Sequence, residues 1–374
     1  MKTFLLSITL AATVSFSHAQ VSEDAPNVFI ITLDGFRWQE LFNGADPSIL
    51  SNPAFVKDTS LAQDMFGGNT IEERRKNLLP FFWNTIARNG KLYGNRNYNN
   101  KANVKNIYKI SYPGYNEIFT GYADPAFILN TPKPNKNLSL PAYLNTLPAY
   151  RNSVVAFSSW NIFPYILNED QYHFSVNSGY ENLQPTDSVL ATIDQVQDSV
   201  QNKTHCRYDQ LTFLLAKQYV QQKHPKVVVL GFGETDEYAH NGRYDMYLTR
   251  AHDIDAMIAE LWYFVQTDPF YKNNTSFVIT TDHGRGRKND SWPGHHLFIK
   301  GSGEIWLALL GRGIEKTGEI KTAGQIYQNQ IAQTIAGLLG EKFIGSHPTG
   351  KPIDLSYYAT KAQTQQIGRA ISAK

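Results

Sequence analysis

Ser276-Phe277-Val278-Ile279-Thr280-Thr281-Asp282-His283-Gly284-Arg285-Gly286 is the stretch that decides how this chain reads. Its first half is a short, β-rich apolar run, the pattern of a strand buried in a parallel sheet. Asp282 and His283 stand side by side where that strand ends, and Gly284 lets the backbone turn. In open α/β sheets, ligands bind just beyond the carboxyl ends of the strands. A carboxylate beside an imidazole supplies two ligand types suited to zinc. Alone, the tetrapeptide is as well read as a polar turn after a core strand. Two other strands in the chain end in the same way.

The first of them is Asn27-Val28-Phe29-Ile30-Ile31-Thr32-Leu33, a continuous apolar run that stops at Asp34-Gly35. The second is Lys226 to Phe232, which leads into Gly233-Glu234-Thr235-Asp236-Glu237-Tyr238-Ala239-His240. Asp236 and His240, four apart, face one centre if a helical turn follows the strand. Buried strands alternating with helices predict an α/β fold: a doubly wound, mostly parallel sheet with helices on both faces and cap insertions. Further strands are expected at Ser153–Phe157 and Ile305–Leu310. Helices are expected at Leu79–Asn89, Leu211–Val220, Tyr244–Val265 and Ala323–Leu339.

The 374 residues are read as a signal segment at 1–19, a single catalytic domain at 20–358 and a polar tail at 359–374. Insertions are expected at about 39–79 and 122–209. The signal reading rests on Lys2, the apolar stretch Phe4–Phe16 and the small-x-small site Ser17-His18-Ala19, and it implies export to the periplasm or beyond. No other segment is long and apolar enough to span a membrane, so no anchor is expected. Hydrophobic content of 42% suffices for a large core, and a formal charge of +2 gives no reason to expect nucleic acid as a partner. The single Cys206 excludes an intrachain disulfide, so stability has to come from the core, helped by bound metal.

The strand-end groups are Asp34, Asp236, His240, Asp282 and His283, with His295 or His296 nearby. Three Asp and three His make two three-ligand zinc sites, each with a position left for substrate or water. Two such ions form a clamp for in-line displacement at phosphorus. That clamp needs a nucleophile on a turn, and Ser111 in Lys109-Ile110-Ser111-Tyr112-Pro113-Gly114 is the candidate. A serine at the start of a helical turn is also a common N-cap. The two roles are compatible, because a helix N-terminus also binds anions.

Asp34-Gly35-Phe36-Arg37, Ser111-Tyr112-Pro113 with Thr120-Gly121, Asp236-x-x-x-His240 and Asp282-His283-Gly284 with a later His together resemble the alkaline phosphatase superfamily. Within it they are most similar to the type I phosphodiesterase/nucleotide pyrophosphatase branch, in the family's order over residues about 27 to 313. The resemblance implies one zinc on Asp34, Asp282, His283 and Ser111, and another on Asp236, His240 and one of the paired histidines. Its spacing favours His296, with His295 as a neighbour. It also implies a phosphate-binding Asn about twenty residues past the nucleophile, for which Asn130, Asn135 and Asn137 compete; Asn116 and His295 complete the substrate-binding candidates. The nucleophile is Ser where the diesterase branch usually has Thr, and Gly114-Tyr115 stands where that branch has Asn-His. Ser and Thr can both attack; the Gly114-Tyr115 departure and the open choice of Asn bear on substrate choice.

The expected function is hydrolysis of a small-molecule phosphate ester, a diester or nucleotide pyrophosphate bond, through a phosphoseryl intermediate on Ser111. A phosphomonoesterase on the same site is the first alternative. A sulfatase is the second, although Tyr115 stands where the Ser-x-Pro-x-Arg pattern of sulfatases needs Arg. A catalytically dead, metal-supported binding module is the third.

Overall fold

The computed structural model describes residues 25–126, 129–183 and 187–355. The expected signal segment at 1–19 and the tail at 359–374 lie outside them. Eleven strands are described: β1 Asn27–Leu33, β2 Gly90–Tyr93, β3 Asn100–Asn103, β4 Val154–Ser158, β5 Ser175–Ser178, β6 Val227–Phe232, β7 Thr275–Thr280, β8 Glu304–Ile305, β9 Leu307–Gly311, β10 Gly318–Glu319 and β11 Gly324–Tyr327. Eight of them form one sheet in the order β10-β2-β9-β7-β1-β6-β4-β5, and β11-β3-β8 form a small second sheet. In the large sheet β9 alone runs against its neighbours β2 and β7. This is the doubly wound, mostly parallel architecture expected from the sequence.

The side-chain period of a strand explains why both faces are covered. Phe29, Ile31 and Leu33 of β1 enter one core, against Tyr247, Leu248, Ala251 and Ile254 of the helix Tyr244–Thr267. Val28 and Ile30 enter the other, with Ile118 and Phe119 of the helix Ser111–Thr120 and Ile335 of Ile331–Leu338. All seven residues of β1 are buried. Each such Val, Ile or Phe contributes roughly 1.5–3 kcal/mol relative to exposure, so β1 is held firmly from both faces.

Register brings the three acidic strand ends together. Leu33 pairs with Phe232 and Thr32 with Thr280, so β7, β1 and β6 end side by side. Asp34, Asp282 and the turn before Asp236 therefore leave the sheet at one edge.

Elsewhere the structure corrects the sequence reading. The stretch 122–209, expected as cap elements apart from the strand at Ser153–Phe157, supplies that strand as β4 and also β5 to the sheet itself. The stretch 39–79 folds into helices, among them Thr59–Phe66 and Ile71–Leu78; the latter opens with a Thr70/Glu73 capping box. The expected helix 323–339 is β11, a short 3₁₀ turn and the helix Ile331–Leu338. No described helix is long and apolar enough to cross a membrane.

Candidate metal and nucleophile centre

Ser111 is the first residue of the helix Ser111–Thr120, with Ile110 as its cap, so the serine is not itself the N-cap. Its side chain is buried, and its Oγ lies 3.3 Å from His283 Nε2. The helix approaches the centre closely: a Cβ on Gly114 would sit 2.4 Å from the Asp282 carbonyl oxygen. Gly114 is thus required by packing.

Each carboxylate at the sheet edge has one oxygen held by the protein. Gly35 N–H donates to Asp282 Oδ1 at 3.0 Å, and the Tyr115 hydroxyl donates to Asp34 Oδ2 at 3.1 Å. Asp282 Oδ2 and Asp34 Oδ1 are buried with no hydrogen-bond partner. They lie 3.3 and 3.4 Å from His283 Nε2. His283 Nδ1 is 3.0 Å from the Gly284 carbonyl and donates to it as Nδ1–H, which turns the Nε2 lone pair into the site.

The second group is Asp236, His240 and His295, whose ligand atoms lie within 4.8 Å of one another. His240 Nε2 is 3.2 Å from Asp236 Oδ2 and 3.0 Å from His295 Nε2. His295 Nδ1 lies 3.0 Å from the Lys109 carbonyl, so its Nδ1–H is spent there and its Nε2 lone pair also faces inward. The sequence reading placed His296 here. The structure brings His295 instead: His296 is exposed, and its Nδ1 accepts the Phe298 N–H at 3.2 Å.

Two buried carboxylate oxygens without donors and three imidazole lone pairs on two centres fit divalent cations. The electrostatics agree. Burial first, then the charges of Asp282 and Asp236, push Asp34 well above the ordinary carboxylate range. Burial, opposed by the Gly35 N–H, and the Asp236 charge push Asp282 up to about 8. Burial holds His295 down at about 4 and His283 well below its usual value. Added cations would let all these groups take their ligating forms.

Asp236 is the exception, because burial is outweighed by Arg285, whose guanidinium binds Oδ1 and holds the carboxyl well below its usual range. Arg285 is fully buried, donating also to the Trp292 and Pro293 carbonyls. Gly35, at φ +59°, makes room for it: a Cβ there would lie 2.5 Å from Arg285 Nη1 and 2.9 Å from Asp236 Oδ1.

Sequence reasoning missed Arg285 and the task of Tyr115. Arg285 sits in the decisive stretch itself, and three carboxylates converging on one place call for a nearby cation. Tyr115 lies four residues after Ser111, on the same helix face. Of the substrate-binding candidates, Asn116, Asn135 and Asn137 bind one another: Asn135 and Asn137 both donate to Asn116 Oδ1, and all three are buried. Asn130 instead stands at the nucleophile, its Oδ1 accepting the Tyr112 N–H at 2.8 Å.

Ser111, Asn130, Asp34 and His240 open on a cavity of about 750 Å³ whose far wall includes Trp160 and His205. No Lys or Arg lines it among the described residues. Basic residues near Ser111 in sequence lie elsewhere: Lys133 and Lys136 line a separate cavity, and Arg151 binds the Thr146 carbonyl.

No protein-family model and no curated protein matches the sequence. Solved structures do match the fold. The alkaline phosphatase PafA superposes with a TM-score of 0.59 at 10% identity, covering 88% of this chain and 98% of that one. The lipoteichoic acid synthase LtaP from Listeria monocytogenes gives 0.54 at 13%, covering 90% and 77%. A 2-O GAG sulfatase gives 0.52 at 12%, covering 90% and 74%. The fold is therefore the alkaline phosphatase-like α/β fold, which hosts both phosphate- and sulfate-ester chemistry, and chemistry has to be argued from the site.

Proposed function

We propose that this chain is a member of the alkaline phosphatase superfamily that hydrolyses phosphate diesters through Ser111, with two zinc-type ions. The observation that carries the reading is the convergence of Ser111 Oγ and the bare oxygens of Asp34 and Asp282 on His283 Nε2, all within 3.4 Å of that nitrogen. Asp34, Asp282, His283 and Ser111 would hold one ion, and Asp236, His240 and His295 the other. Bound there, the ions would supply the positive charge that lets the serine hydroxyl ionise and that offsets charge on the departing oxygen.

The chain's own residues supply placement. Tyr115 and Gly35 fix the carboxylates, and the Gly284 and Lys109 carbonyls fix the imidazole tautomers. Asn130 sits beside the nucleophile, where its amide can meet a phosphoryl oxygen. Ser111 gives its hydroxyl proton to solvent and its Oγ forms a bond to phosphorus as the bond to one ester oxygen breaks; that oxygen takes a proton from solvent and leaves as the alcohol. Water then cleaves the Oγ–P bond, releasing a phosphate monoester and restoring the hydroxyl. Catalysis is placement and charge stabilisation.

Two features support a diester. A monoester dianion rewards an added Lys or Arg at the phosphate, which the cavity wall lacks. The volume beyond Ser111 accommodates a second organic group. The same lack of cations counts against nucleotide pyrophosphate bonds, which bring further charge. Against a sulfatase stands Tyr115 in place of the Arg of Ser-x-Pro-x-Arg. Export directed by residues 1–19 belongs to the same reading.

The test is kcat/KM for matched aryl phosphate diesters, monoesters and sulfates with zinc-loaded protein. The diester is expected to lead. A monoester preference of ~100-fold, worth about 2.7 kcal/mol of transition-state stabilisation, would make the protein a phosphatase. Turnover of sulfates alone would make it a sulfatase, and bound metal without any turnover a binding module.

A further inference from the structure

Resting on the diester reading, we infer that the far wall of the cavity selects a neutral, hydroxyl-rich ester group, such as a polyol or a sugar. The wall is built from three segments. Trp160 and Asn161 follow β4, His205 and Cys206 lie on the loop before the helix Asp209–Lys223, and Glu237 and Asn241 ride on and just after the helix Glu234–His240 that carries Asp236. A β-bridge between Trp160 and Cys206 and a bond from Asn161 N–H to the His205 carbonyl lock the first two segments together. The wall is therefore a fixed surface.

Its hydrogen-bonding capacity names the class of group. His205 Nε2 faces Glu237 Oε1 at 3.1 Å, and the His205 side chain is 59% exposed. Asn241 donates its amide to the Glu237 carbonyl, leaving its oxygen as an acceptor, and Asn161 is exposed at the rim. Glu237 and Asn241 accept, as does His205 Nδ1 once its Nε2–H is given to Glu237, the Asn161 amide donates, and hydroxyls match such a set because each both donates and accepts. An ammonium group, donor only, would leave the Asn161 amide unmatched. A phosphate or carboxylate would meet Glu237 with no lining cation to offset it.

The aromatic content points the same way. Trp160 is half-buried and packs on Tyr115, ring centroids 6.2 Å apart, so it offers one platform beside the reacting centre. Tyr112, next to the nucleophile, is turned into the core, 1% exposed, with its hydroxyl on the Lys133 carbonyl. It cannot close a stacking slot over a flat heterocycle from that side. Trp160 and Tyr165, both lining the cavity among mixed donors and acceptors, suit the C–H faces and hydroxyls of a ring or chain of hydroxylated carbons better than an acyl chain.

The experiment uses the full chain loaded with zinc and p-nitrophenyl phosphodiesters whose second ester group is methyl, glyceryl, 6-glucosyl, 2-aminoethyl, 5′-uridyl or phosphoglyceryl. The glyceryl and glucosyl esters are expected to exceed the methyl ester in kcat/KM by about tenfold or more. That ratio should fall by at least fivefold in His205→Ala and in Asn161→Ala, whose exposed positions spare the fold. A methyl ester that matches the glyceryl and glucosyl esters, a leading rank for the uridyl, aminoethyl or phosphoglyceryl ester, or a ratio unmoved by both substitutions would each overturn the inference. Failure of the underlying diester reading shows separately, as no turnover of any member while an aryl monoester or sulfate is cleaved.

Discussion

Tyr115→Phe removes one oxygen atom from the wall of the metal centre and leaves the packing in place. The ring is buried against Phe163 at 4.7 Å and Phe119 at 6.3 Å between centroids, contacts that a phenyl ring keeps. What goes is the donor to Asp34 Oδ2 at 3.1 Å, carried by a ring that is itself buried. A hydrogen bond to a charged group contributes about 1.5–3 kcal/mol. Loss of an outer partner of a metal ligand lowers metal affinity by about 10–100-fold, and at ~1.4 kcal/mol per tenfold the two figures agree. Without metal, burial shifts Asp34 toward its neutral form, for which the lost donor matters less. Metal-free Tyr115→Phe should therefore unfold close to wild type, while zinc affinity by chelator competition falls 10–100-fold. Zinc affinity within twofold of wild type would refute the argument, and so would a large loss of stability confined to the metal-free protein.

Ser111→Ala should keep the fold and two bound ions while kcat/KM for an aryl diester drops by at least ~10³; near-normal turnover would mean that water attacks directly. His295→Ala should lower bound zinc measured by mass spectrometry, whereas His296→Ala should leave it at wild-type level; the reverse result would restore the sequence-based choice. Asp255, buried in the helix Tyr244–Thr267 and accepting the Phe81 and Phe82 N–H groups, has its carboxyl pushed up to about 7 by burial, against those two bonds. A raised acid is protonated more readily in the folded than in the unfolded chain, whose Asp titrates near ~3.9. Stability should thus fall as pH rises from about 4 to 7 and level off above; denaturant melts of Asp255→Asn should lose that segment of the slope.

The strand ends were legible because β1, β6 and β7 are buried on both faces and so read as unbroken apolar runs, each closed by an acidic residue. Their adjacency was not, since β1 pairs with β6 and β7 across about 200 and 250 residues of chain. The choice between His295 and His296 turned on the Lys109 carbonyl, a contact of sequence separation 186 that spacing cannot report. Gly324–Tyr327 looked helical because the next helix runs on from it, and its strand pairing is to distant Asn100–Asn103. Asn135 and Asn137 had the right spacing for a phosphate ligand but are used to bind Asn116. Asn130 was among the candidates, and only its bond to Tyr112 N–H separates it from the others.

The most direct test of the central claim is an acid quench of zinc-loaded protein during turnover of an aryl phosphodiester, followed by peptide mass spectrometry. Attack by Ser111 predicts a peptide containing Ser111 heavier by the esterified phosphoryl group, at a level that rises and saturates with substrate and is lost in Ser111→Ala. Turnover at the full rate with no adduct on Ser111 at any quench time, or an adduct on another residue, would contradict it.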